Sequence, residues 1–389
     1  MSHFTRWLLL GVGVVALAAM LYSAPGDDRP KDKPKKDNGD VLESRGSDWL
    51  VYRGNTTMTG VASADLPDKL EELWKVSAED SIESAPAIWD SKVFFGSMDE
   101  HLYAVSLKDG KQLWKKKYGP FKAAPAVHKE RIYIGDSDGQ FYCIDAGSGA
   151  KKWSLDTRAE IASGANFAGD KVLFGSYDES LHCVDTDGKE VWSFKTNGPV
   201  NSSPAVAGNY TFVAGCDSNL HVIDIRTGKE TAAIDLEGQA AATAAVLGEQ
   251  LYVGTMANQM KAIDWKKAAT VWTFEAETRA MPFYGSAAVT DSLVIAGGRD
   301  KRIWALERKT GKPAWSVPTG GKVDSSPVVV GKRVYVGSLD GNLYVLDVAT
   351  GRQVQKIALD GPISAAPAVV SGRLLIGTQK GTMYCFGGK

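Results

Sequence analysis

The chain has 389 residues, of which 44% are hydrophobic and 23% charged, a composition typical of folded globular proteins. Its 45 Lys and Arg residues nearly balance 46 Asp and Glu residues, and the resulting net charge of −1 argues against a nucleic-acid partner. The 41 Gly and 11 Trp residues, beside only 4 Cys, indicate short strands joined by tight turns.

The N terminus predicts an export segment followed by a linker. Within residues 1–23, the run 7–22 has 16 residues without a charge, whereas a bilayer span needs about 20 apolar residues. This length suits a signal peptide, and Ala16-Leu17-Ala18 fits a cleavage site; a retained membrane anchor is the alternative. Residues 24–45 combine prolines, lysines and aspartates, which predicts a disordered charged linker, with membrane contact through the N-terminal segment left open. We expect residues 46–389 to fold outside the cytoplasm.

Beyond the linker, the sequence repeats with a period of about 40 residues. A strand ending in glycine recurs at Gly96, Gly135, Gly175, Gly254, Gly297, Gly337 and Gly377, with Ala214 in the fourth position. The intervals are 39, 40, 39, 40, 43, 40 and 40 residues. Ten residues earlier stands a second marker, always Pro or Ala: Pro86, Pro125, Ala165, Pro204, Ala244, Ala287, Pro327 and Pro367. Two positions in phase over eight units predict eight copies of one structural unit.

Each unit reads as four short strands. In the seventh unit these are 325–330, 333–338, 342–347 and 352–357, separated by Gly331, Asp340-Gly341 and Thr350-Gly351, which suit hairpin turns. A four-stranded sheet of this size cannot bury both of its faces alone, but sheets stacked around an axis can. We therefore predict an all-β fold, an eight-bladed β-propeller of four-stranded antiparallel blades.

A tryptophan marks the fourth strand and shows how the ring closes. It recurs at Trp114, Trp153, Trp192, Trp272 and Trp315, with Ala232 and Gln355 in two units. The eighth unit stops at Tyr384-Cys385-Phe386 and lacks its fourth strand, whereas residues 72–76, with Trp74, precede the first unit and match that strand. We expect this N-terminal strand to complete the last blade and so remove the exposed edges.

The best-preserved unit carries a recognisable pattern. Residues 334–352 read Val-Tyr-Val-Gly-Ser-Leu-Asp-Gly-Asn-Leu-Tyr-Val-Leu-Asp-Val-Ala-Thr-Gly-Arg, and 93–114, 132–153 and 303–315 follow it closely. This pattern strongly resembles the PQQ-like (pyrroloquinoline quinone) β-propeller repeat, over about residues 48–387. The lead-in, with Asp48-Trp49 and Tyr52-Arg53-Gly54-Asn55, is similar to the opening of exported BamB-type outer-membrane-assembly proteins. The resemblance implies the fold far more firmly than the function.

Quinoprotein dehydrogenases share this repeat, and resemblance to them would imply PQQ and Ca²⁺ at the propeller axis. Their pattern includes two adjacent cysteines, carboxylate and amide ligands for Ca²⁺, and long insertions between blades. The cysteines of this chain, Cys143, Cys183, Cys216 and Cys385, include no adjacent pair, and its units are nearly uniform in length. We therefore expect no catalytic residue, no cofactor and no metal.

Most candidate ligands and nucleophiles fall at repeat positions. Cys143, Cys183 and Cys385 share one slot and are expected to pack without disulfides, which leaves Cys216 as the one candidate reactive thiol. His182 and His221 take a slot held elsewhere by tyrosine, and no histidine pair has metal-ligand spacing. One hairpin slot repeats an aspartate, which predicts turn caps at Asp99, Asp138, Asp178, Asp217, Asp300 and Asp340.

Binding residues are sought where the repeats differ. Three residues before each inner-strand marker, on loops that converge at one mouth of the axial channel, stand Glu83, Lys122, Ala162, Asn201, Ala241, Tyr284, Asp324 and Ser364. Glu83, Lys122, Asn201, Tyr284 and Asp324 make this ring polar, which fits either ordinary solvated loops or a site for a peptide, glycan or small ligand.

The interval from the fifth unit to the sixth is the longest, and its extra residues fall within 278–284. Arg279, Met281, Phe283 and Tyr284 give this loop the amphipathic character of a protein interface. The loop either projects as an exposed tip or folds down into the channel.

These observations favour a noncatalytic, exported protein-binding scaffold, monomeric, with a protein or peptide partner in the cell envelope. The alternatives are an extracytoplasmic sensor of a small ligand or carbohydrate and a PQQ-dependent dehydrogenase. The expected location is the periplasm or the extracytoplasmic side of a membrane.

Overall fold

The repeated strands pair into eight separate sheets, as the two markers predict. The computed structural model describes residues 46–277 and 280–388. Each sheet is built on four antiparallel strands, to which blade 7 adds β1 as a fifth, parallel strand, and together the sheets form an all-β, eight-bladed propeller, which confirms the predicted fold. The described ranges contain no helix long and apolar enough to cross a membrane.

The elements follow the chain in blade order. One short 3₁₀ helix, η1 (Tyr52–Gly54), and two strands, β1 (Val61–Ala62) and β2 (Glu71–Ser77), precede the first blade. Blades 1 to 4 are β3 (Ala87–Trp89), β4 (Lys92–Gly96), β5 (His101–Ser106), β6 (Gln112–Lys117); β7 (Ala126–His128), β8 (Arg131–Gly135), β9 (Gln140–Asp145), β10 (Lys151–Asp156); β11 (Asn166–Ala168), β12 (Lys171–Ser176), β13 (Ser180–Asp185), β14 (Glu190–Lys195); and β15 (Ala205–Ala207), β16 (Tyr210–Ala214), β17 (Asn219–Asp224), β18 (Lys229–Asp235). Blades 5 to 8 are β19 (Ala245–Leu247), β20 (Gln250–Gly254), β21 (Gln259–Asp264), β22 (Ala269–Glu275); β23 (Ala288–Val289), β24 (Leu293–Gly298), β25 (Arg302–Glu307), β26 (Pro313–Pro318); β27 (Val328–Val330), β28 (Arg333–Gly337), β29 (Asn342–Asp347), β30 (Gln353–Ala358); and β31 (Ala368–Val370), β32 (Arg373–Gly377), β33 (Thr382–Gly387).

The innermost strands are shorter than predicted. In blade 7 the strand begins at Val328 and not at residue 325. Pro327 has no N–H to give to a ladder, and the two serines before it bond elsewhere: Ser325 Oγ donates to Ala365 O at 2.7 Å, and Ser326 Oγ accepts the N–H of Ser286 at 2.9 Å.

The N-terminal strand closes the ring. In blade 8 the order is β2-β33-β32-β31, and β2 pairs antiparallel with β33, with Trp74 opposite Cys385. This confirms the predicted closure: the last blade takes its outer strand from the start of the chain.

The marker glycines are explained by close packing between blades. A Cβ at Gly337 would lie 2.2 Å from Ile363, which precedes the next inner strand, and a Cβ at Gly96 would lie 2.4 Å from Phe121. Blade 4 has Ala214 in place of the marker glycine, and the residue that corresponds to Ile363 there is the small Ala240, in the same core cluster. A larger residue on one side is thus matched by a smaller one on the other, as close packing requires.

The repeated tryptophans tie each blade to the next. The indole N–H of Trp114 donates to Ala146 O at 3.2 Å, and Trp74, Trp153, Trp192, Trp272 and Trp315 make the same bond to a carbonyl on the following blade. Each ring also lies against a positive-φ glycine, such as Gly351 beside Trp315. In blade 7, Gln355 replaces the tryptophan and exchanges two hydrogen bonds with the backbone of Leu70.

The tryptophan contact can be tested with two glycines of similar conformation. Gly351 (φ +71) would place a Cβ 2.7 Å from Trp315, whereas Gly331 (φ +54) has no heavy atom within 4 Å of that position. Both alanine substitutions carry the left-handed backbone cost of about 1–2 kcal/mol. We expect Gly351→Ala to cost about 2 kcal/mol more than Gly331→Ala, because the indole must move. Urea unfolding measures the difference, and equal losses would show that the contact is unimportant.

Residues 46–62, here called the strap, seal one end of the axial channel. Starting at blade 8, the strap accepts or donates a hydrogen bond at each blade in turn; its partners are Ser371, Ile88, Val127, Asn166, Val206, Val246, Val289 and Val329. Its end, β1, lies parallel to β27 on the inner edge of blade 7. The strap enters and leaves on the side of the hairpins that follow the inner strands, which leaves the other end of the channel open.

Candidate functional site

The open end of the channel is a well of about 430 Å³, here called the axial well. Its lining includes all eight residues that stand three positions before the inner-strand markers: Glu83, Lys122, Ala162, Asn201, Ala241, Tyr284, Asp324 and Ser364. The structure therefore brings the predicted ring together at one mouth.

A second ring comes from the turns between the second and third strands, two residues after each marker glycine or Ala214. In every blade the backbone N–H of that turn residue donates to a carbonyl of the loop leading into the inner strand, as in Tyr177 to Glu160 at 2.9 Å and Arg299 to Pro282 at 3.1 Å. These bonds bring Tyr177, Arg299 and Gln379 into the well beside the first ring. The sequence analysis did not single out these residues or Glu160.

Below the two rings, hydroxyl groups lock neighbouring blades together. Ser203 Oγ accepts the N–H of Gly164, Thr243 Oγ1 that of Ser203, and Ser286 Oγ that of Thr243, at 2.9–3.0 Å. Ser326 continues the series and is also hydrogen-bonded to the Tyr52 hydroxyl at 2.8 Å. The wall of the well is thus rigid and polar over blades 4 to 7.

The strap forms the floor. Tyr52 lines the well, and the neighbouring Arg53 is only 1% exposed. Arg53 Nη2 donates to Ala287 O at 3.0 Å and Pro327 O at 2.6 Å, and burial lowers the pKa of Arg53 to about 10. Gly60 is required beside it, since a Cβ there would lie 1.9 Å from Nη2.

Both cations that line the well, Lys122 and Arg299, form ion pairs. Lys122 Nζ lies 3.0 Å from Glu160 Oε1, and this hydrogen bond raises the pKa of Lys122. Arg299 makes a bidentate pair with Asp324, at 2.8 and 2.9 Å, which raises the pKa of Arg299. Glu83 accepts a hydrogen bond from Ser81 Oγ at 3.1 Å but forms no ion pair with any residue that the structure describes.

Two tyrosines stand at the mouth. Tyr284 is 42% exposed, and the Arg299 guanidinium lies 4.1 Å from its ring centroid. Tyr177 is 37% exposed, and burial of its hydroxyl, followed by the charge of Glu160, raises its pKa. Both rings therefore present surface to solvent above a polar cavity.

The long loop before blade 6 is divided between surface and core. Met281 is 39% exposed and Tyr284 lines the well, whereas Phe283 is only 2% exposed. Phe283, a predicted binding residue, lies instead in the core, where its side chain packs against Gly254 and Phe274. Arg279, also predicted for binding, lies outside the described residues, as do residues 1–45.

Most of the aspartates predicted as turn caps form hydrogen bonds within their own hairpins. Asp99, Asp178, Asp217, Asp300 and Asp340 each accept a backbone N–H two residues later and a side-chain hydrogen bond four residues later, from Tyr103, His182, His221, Trp304 or Tyr344. In blade 2 this role belongs to Asp136 and not to the predicted Asp138, because Asp136 bonds Gln140 and Tyr142.

The four cysteines are free thiols, and three of them are buried. Cys143, Cys183 and Cys385 are buried thiols, and burial also raises the pKa of the partly exposed Cys216, which accepts a hydrogen bond from Asn201 at 3.6 Å. Among the residues described, no group of three or more His, Cys, Asp or Glu side chains is placed to hold a metal ion.

The propeller resembles several known proteins. The family model described as outer membrane protein assembly factor BamB matches residues 61–178, 177–322 and 299–388, while a search of curated sequences gave no match. BamB from Moraxella catarrhalis is similar in structure, with a TM-score of 0.71 and 20% identity over 82% of this chain and 98% of that one. The designed protein Ika8 has a TM-score of 0.73 and 17% identity over 82% of this chain and 99% of that one. The quinohemoprotein alcohol dehydrogenase from Comamonas testosteroni has a TM-score of 0.76 and 14% identity over 88% of this chain and 81% of that one. At these identities the structures share the fold alone. The family model spans nearly the whole propeller, and the chain belongs to the family of the outer membrane protein assembly factor BamB.

Proposed function

We propose that this chain is a noncatalytic, extracytoplasmic scaffold that binds a protein partner over the mouth of its axial well. The observation that carries the proposal is the difference between the two ends of the channel. The strap closes one end, whereas the other presents exposed Tyr177, Met281 and Tyr284 around charged side chains. Aromatic residues, methionine and arginine are enriched at protein interfaces.

Family membership supports an envelope location, since the family description names an outer-membrane assembly factor. On this proposal, residues 1–23 export the chain or anchor it, and residues 24–45 tether a monomeric propeller. The strap begins on the closed side of the channel, away from the mouth.

A crosslinking experiment tests the docking face. A photoreactive amino acid replaces Met281 at the mouth in one strain and the exposed Lys129, on the closed side, in a control strain. We expect irradiation of intact cells to join one defined protein, identified by mass spectrometry, to position 281 and not to position 129. No adduct at 281, or the same adducts at both positions, would rule out the mouth as the docking face.

The competing enzymatic reading rests on the fold shared with quinohemoprotein alcohol dehydrogenases. The well does not suit their cofactor. PQQ carries three carboxylates, and the well already holds three, on Glu83, Glu160 and Asp324, with both of its cations paired. No group of three or more His, Cys, Asp or Glu side chains in the described ranges is placed to hold a Ca²⁺ ion between these charges. Like charges brought together in a partly enclosed site repel one another.

We expect PQQ with Ca²⁺ to leave the melting temperature of the full-length chain unchanged. A ligand present at 100 times its dissociation constant would add about 2.7 kcal/mol to stability and raise the melting temperature visibly. Scanning calorimetry with and without PQQ and Ca²⁺ makes the comparison. A clear rise would favour the enzyme.

A sensor of small ligands is the second candidate, because the well is closed at its floor and lined with hydroxyls below two tyrosines. Its volume of about 430 Å³ lies in the range of small-molecule sites. Stabilisation of the chain by a soluble glycan in the same calorimetric assay would favour the sensor over the scaffold.

A further inference from the structure

The axial well has an excess of negative charge. Its lining contains three carboxylates, on Glu83, Glu160 and Asp324, but only two cations, and each of these is paired. Glu83 has no ionic partner among the described residues. Its charge also acts on Lys122, whose pKa it helps to raise after the larger effect of Glu160. A third cation is therefore the group that the charges of the well lack.

On the side of blade 4, the well has a hydrogen-bond acceptor without a donor. Asn201 uses its amide nitrogen to bond Cys216 at 3.6 Å, while its carbonyl oxygen Oδ1 is buried and has no partner. An unsatisfied buried acceptor has lost its hydrogen bond to water, and this loss costs free energy. A ligand that brings N–H donors would recover this energy, whereas a ligand with acceptors alone would not.

The aromatic mouth suits a cation as well. The face of Tyr284 already holds the Arg299 guanidinium at 4.1 Å, which shows that a planar cation fits against this ring. Tyr177, on blade 3, also lines the well, and no cation in the described ranges lies over its ring. A cation over such a face is attracted by the negative potential of the aromatic ring.

The floor limits how deep a cation can go. Tyr52 closes the well, and the buried Arg53 guanidinium lies next to it, 5.9 Å from the Tyr52 ring centroid. Arg53 is not part of the lining, and its positive charge opposes a second cation placed low in the well. The favourable position is thus at the level of Glu83 and Asn201, within reach of a long side chain from outside.

From these contacts we propose that the axial well binds the side chain of a lysine or arginine carried by an extended segment of the partner protein. The ammonium or guanidinium group pairs with Glu83, donates to Asn201 Oδ1 and packs against Tyr177. The inference rests on the proposed scaffold function and names the partner group that its mouth selects. A volume of about 430 Å³ admits one long side chain and its water but not a folded element.

The test uses the full-length chain in a mild detergent and calorimetric titration with three blocked peptides. They are Gly-Gly-Arg-Gly-Gly, the same peptide with citrulline, a neutral isostere of arginine, and the same peptide with glutamate. We expect the arginine peptide to bind at least about tenfold more tightly than the citrulline peptide, because only the former supplies the missing charge, and the glutamate peptide not to bind. Added salt should weaken the arginine complex.

Two variants locate the site. Glu83→Gln should weaken binding of the arginine peptide about tenfold, since it keeps the shape of the side chain and removes its charge. The matched control is Glu100→Gln, an acid that pairs with Lys117 and does not line the well; it should bind as the unsubstituted chain does. Unfolding curves for both variants confirm that each is folded.

Three results would overturn the proposal: no binding of the arginine peptide, equal binding of the arginine and citrulline peptides, or an unchanged affinity in Glu83→Gln. If the crosslink from position 281 persists in any of these cases, the scaffold function stands and only the basic side chain is excluded. If the crosslink is also absent, both fail together. Binding of a neutral glycan in place of the peptide would favour the sensor.

Discussion

A chain that begins at Ala78 is expected to lose cooperative folding altogether. Such a chain lacks β2, and blade 8 is left with three strands and an open edge at β33. It also loses Trp74, which is 9% exposed and bonds Leu107 O at 3.0 Å, so blade 8 is no longer joined to blade 1. Because a domain is stable by only about 5–15 kcal/mol, loss of both features exceeds the available margin. The exposed edge should then promote aggregation.

The experiment compares chains with three different starting points by urea unfolding and near-ultraviolet circular dichroism. A chain from residue 46 keeps both the strap and β2 and should unfold as the full-length protein does. A chain from residue 66 keeps β2 alone. It should fold but lose about 5 kcal/mol or more, because Trp49, Val51 and Met58 of the strap are 0–1% exposed and each contributes about 1.5–3 kcal/mol. A sharp transition in the chain from Ala78 would show that closure is dispensable.

The repeats explain why so much of the fold could be predicted. A position that recurs in eight units gives eight independent indications of the same strand end. Gly337 and its equivalents therefore predicted the strands, although the sequence of a single short strand is ambiguous. The ring that includes Glu83, Asn201 and Tyr284 followed from the same phase, because loops before inner strands must meet at the axis. Closure followed from a missing strand at one end and an extra one at the other.

The strap was not predicted, because its sequence occurs once and has no period. Residues such as Trp49 and Arg53 are recognisable as a lead-in, but only the structure shows that they pass each blade in turn and close the channel. The pairing of Lys122 with Glu160 is likewise beyond the repeats. It depends on the direction of two side chains on loops of neighbouring blades, and a one-dimensional pattern does not contain that direction.

Other residues were missed although a signal was present. Tyr177 and Arg299 stand two positions after their marker glycines, so the same phase argument would have found a second ring. Phe283 stands four residues before its inner-strand marker, Ala287, just as the buried Ile363 stands four residues before Pro367 in blade 8. The sequence analysis used this phase for Tyr284 but not for Phe283, and it left the loop either as an exposed tip or as a segment folded into the channel.

Trp114→Ala is expected to destabilise the protein by about 3–5 kcal/mol, the usual cost of deleting a large buried aromatic side chain. Trp114 is 8% exposed, its ring lies 5.9 Å from that of Phe94, and its N–H is bonded to Ala146 on blade 2. The matched control is Leu113→Ala, the preceding residue, which is 49% exposed and should cost less than about 0.5 kcal/mol. Equal losses in the two variants would show that the repeated tryptophan does not join the blades.

The natural exception in blade 4 predicts how this loss can be repaired. There the tryptophan position is Ala232, and the residue at the equivalent of Ala146 on the next blade is Trp265, whose ring packs 5.2 Å from Tyr210 and 5.1 Å from Phe212. The same space is therefore filled from the opposite side. We expect Ala146→Trp to destabilise the chain alone, because Trp114 already fills the space, but to recover about 1–3 kcal/mol when combined with Trp114→Ala. A double-mutant cycle by urea unfolding measures this coupling. If the two losses simply add, the tryptophan position would be a feature of each blade alone. A favourable coupling would show that the interface needs one large ring, whichever blade supplies it.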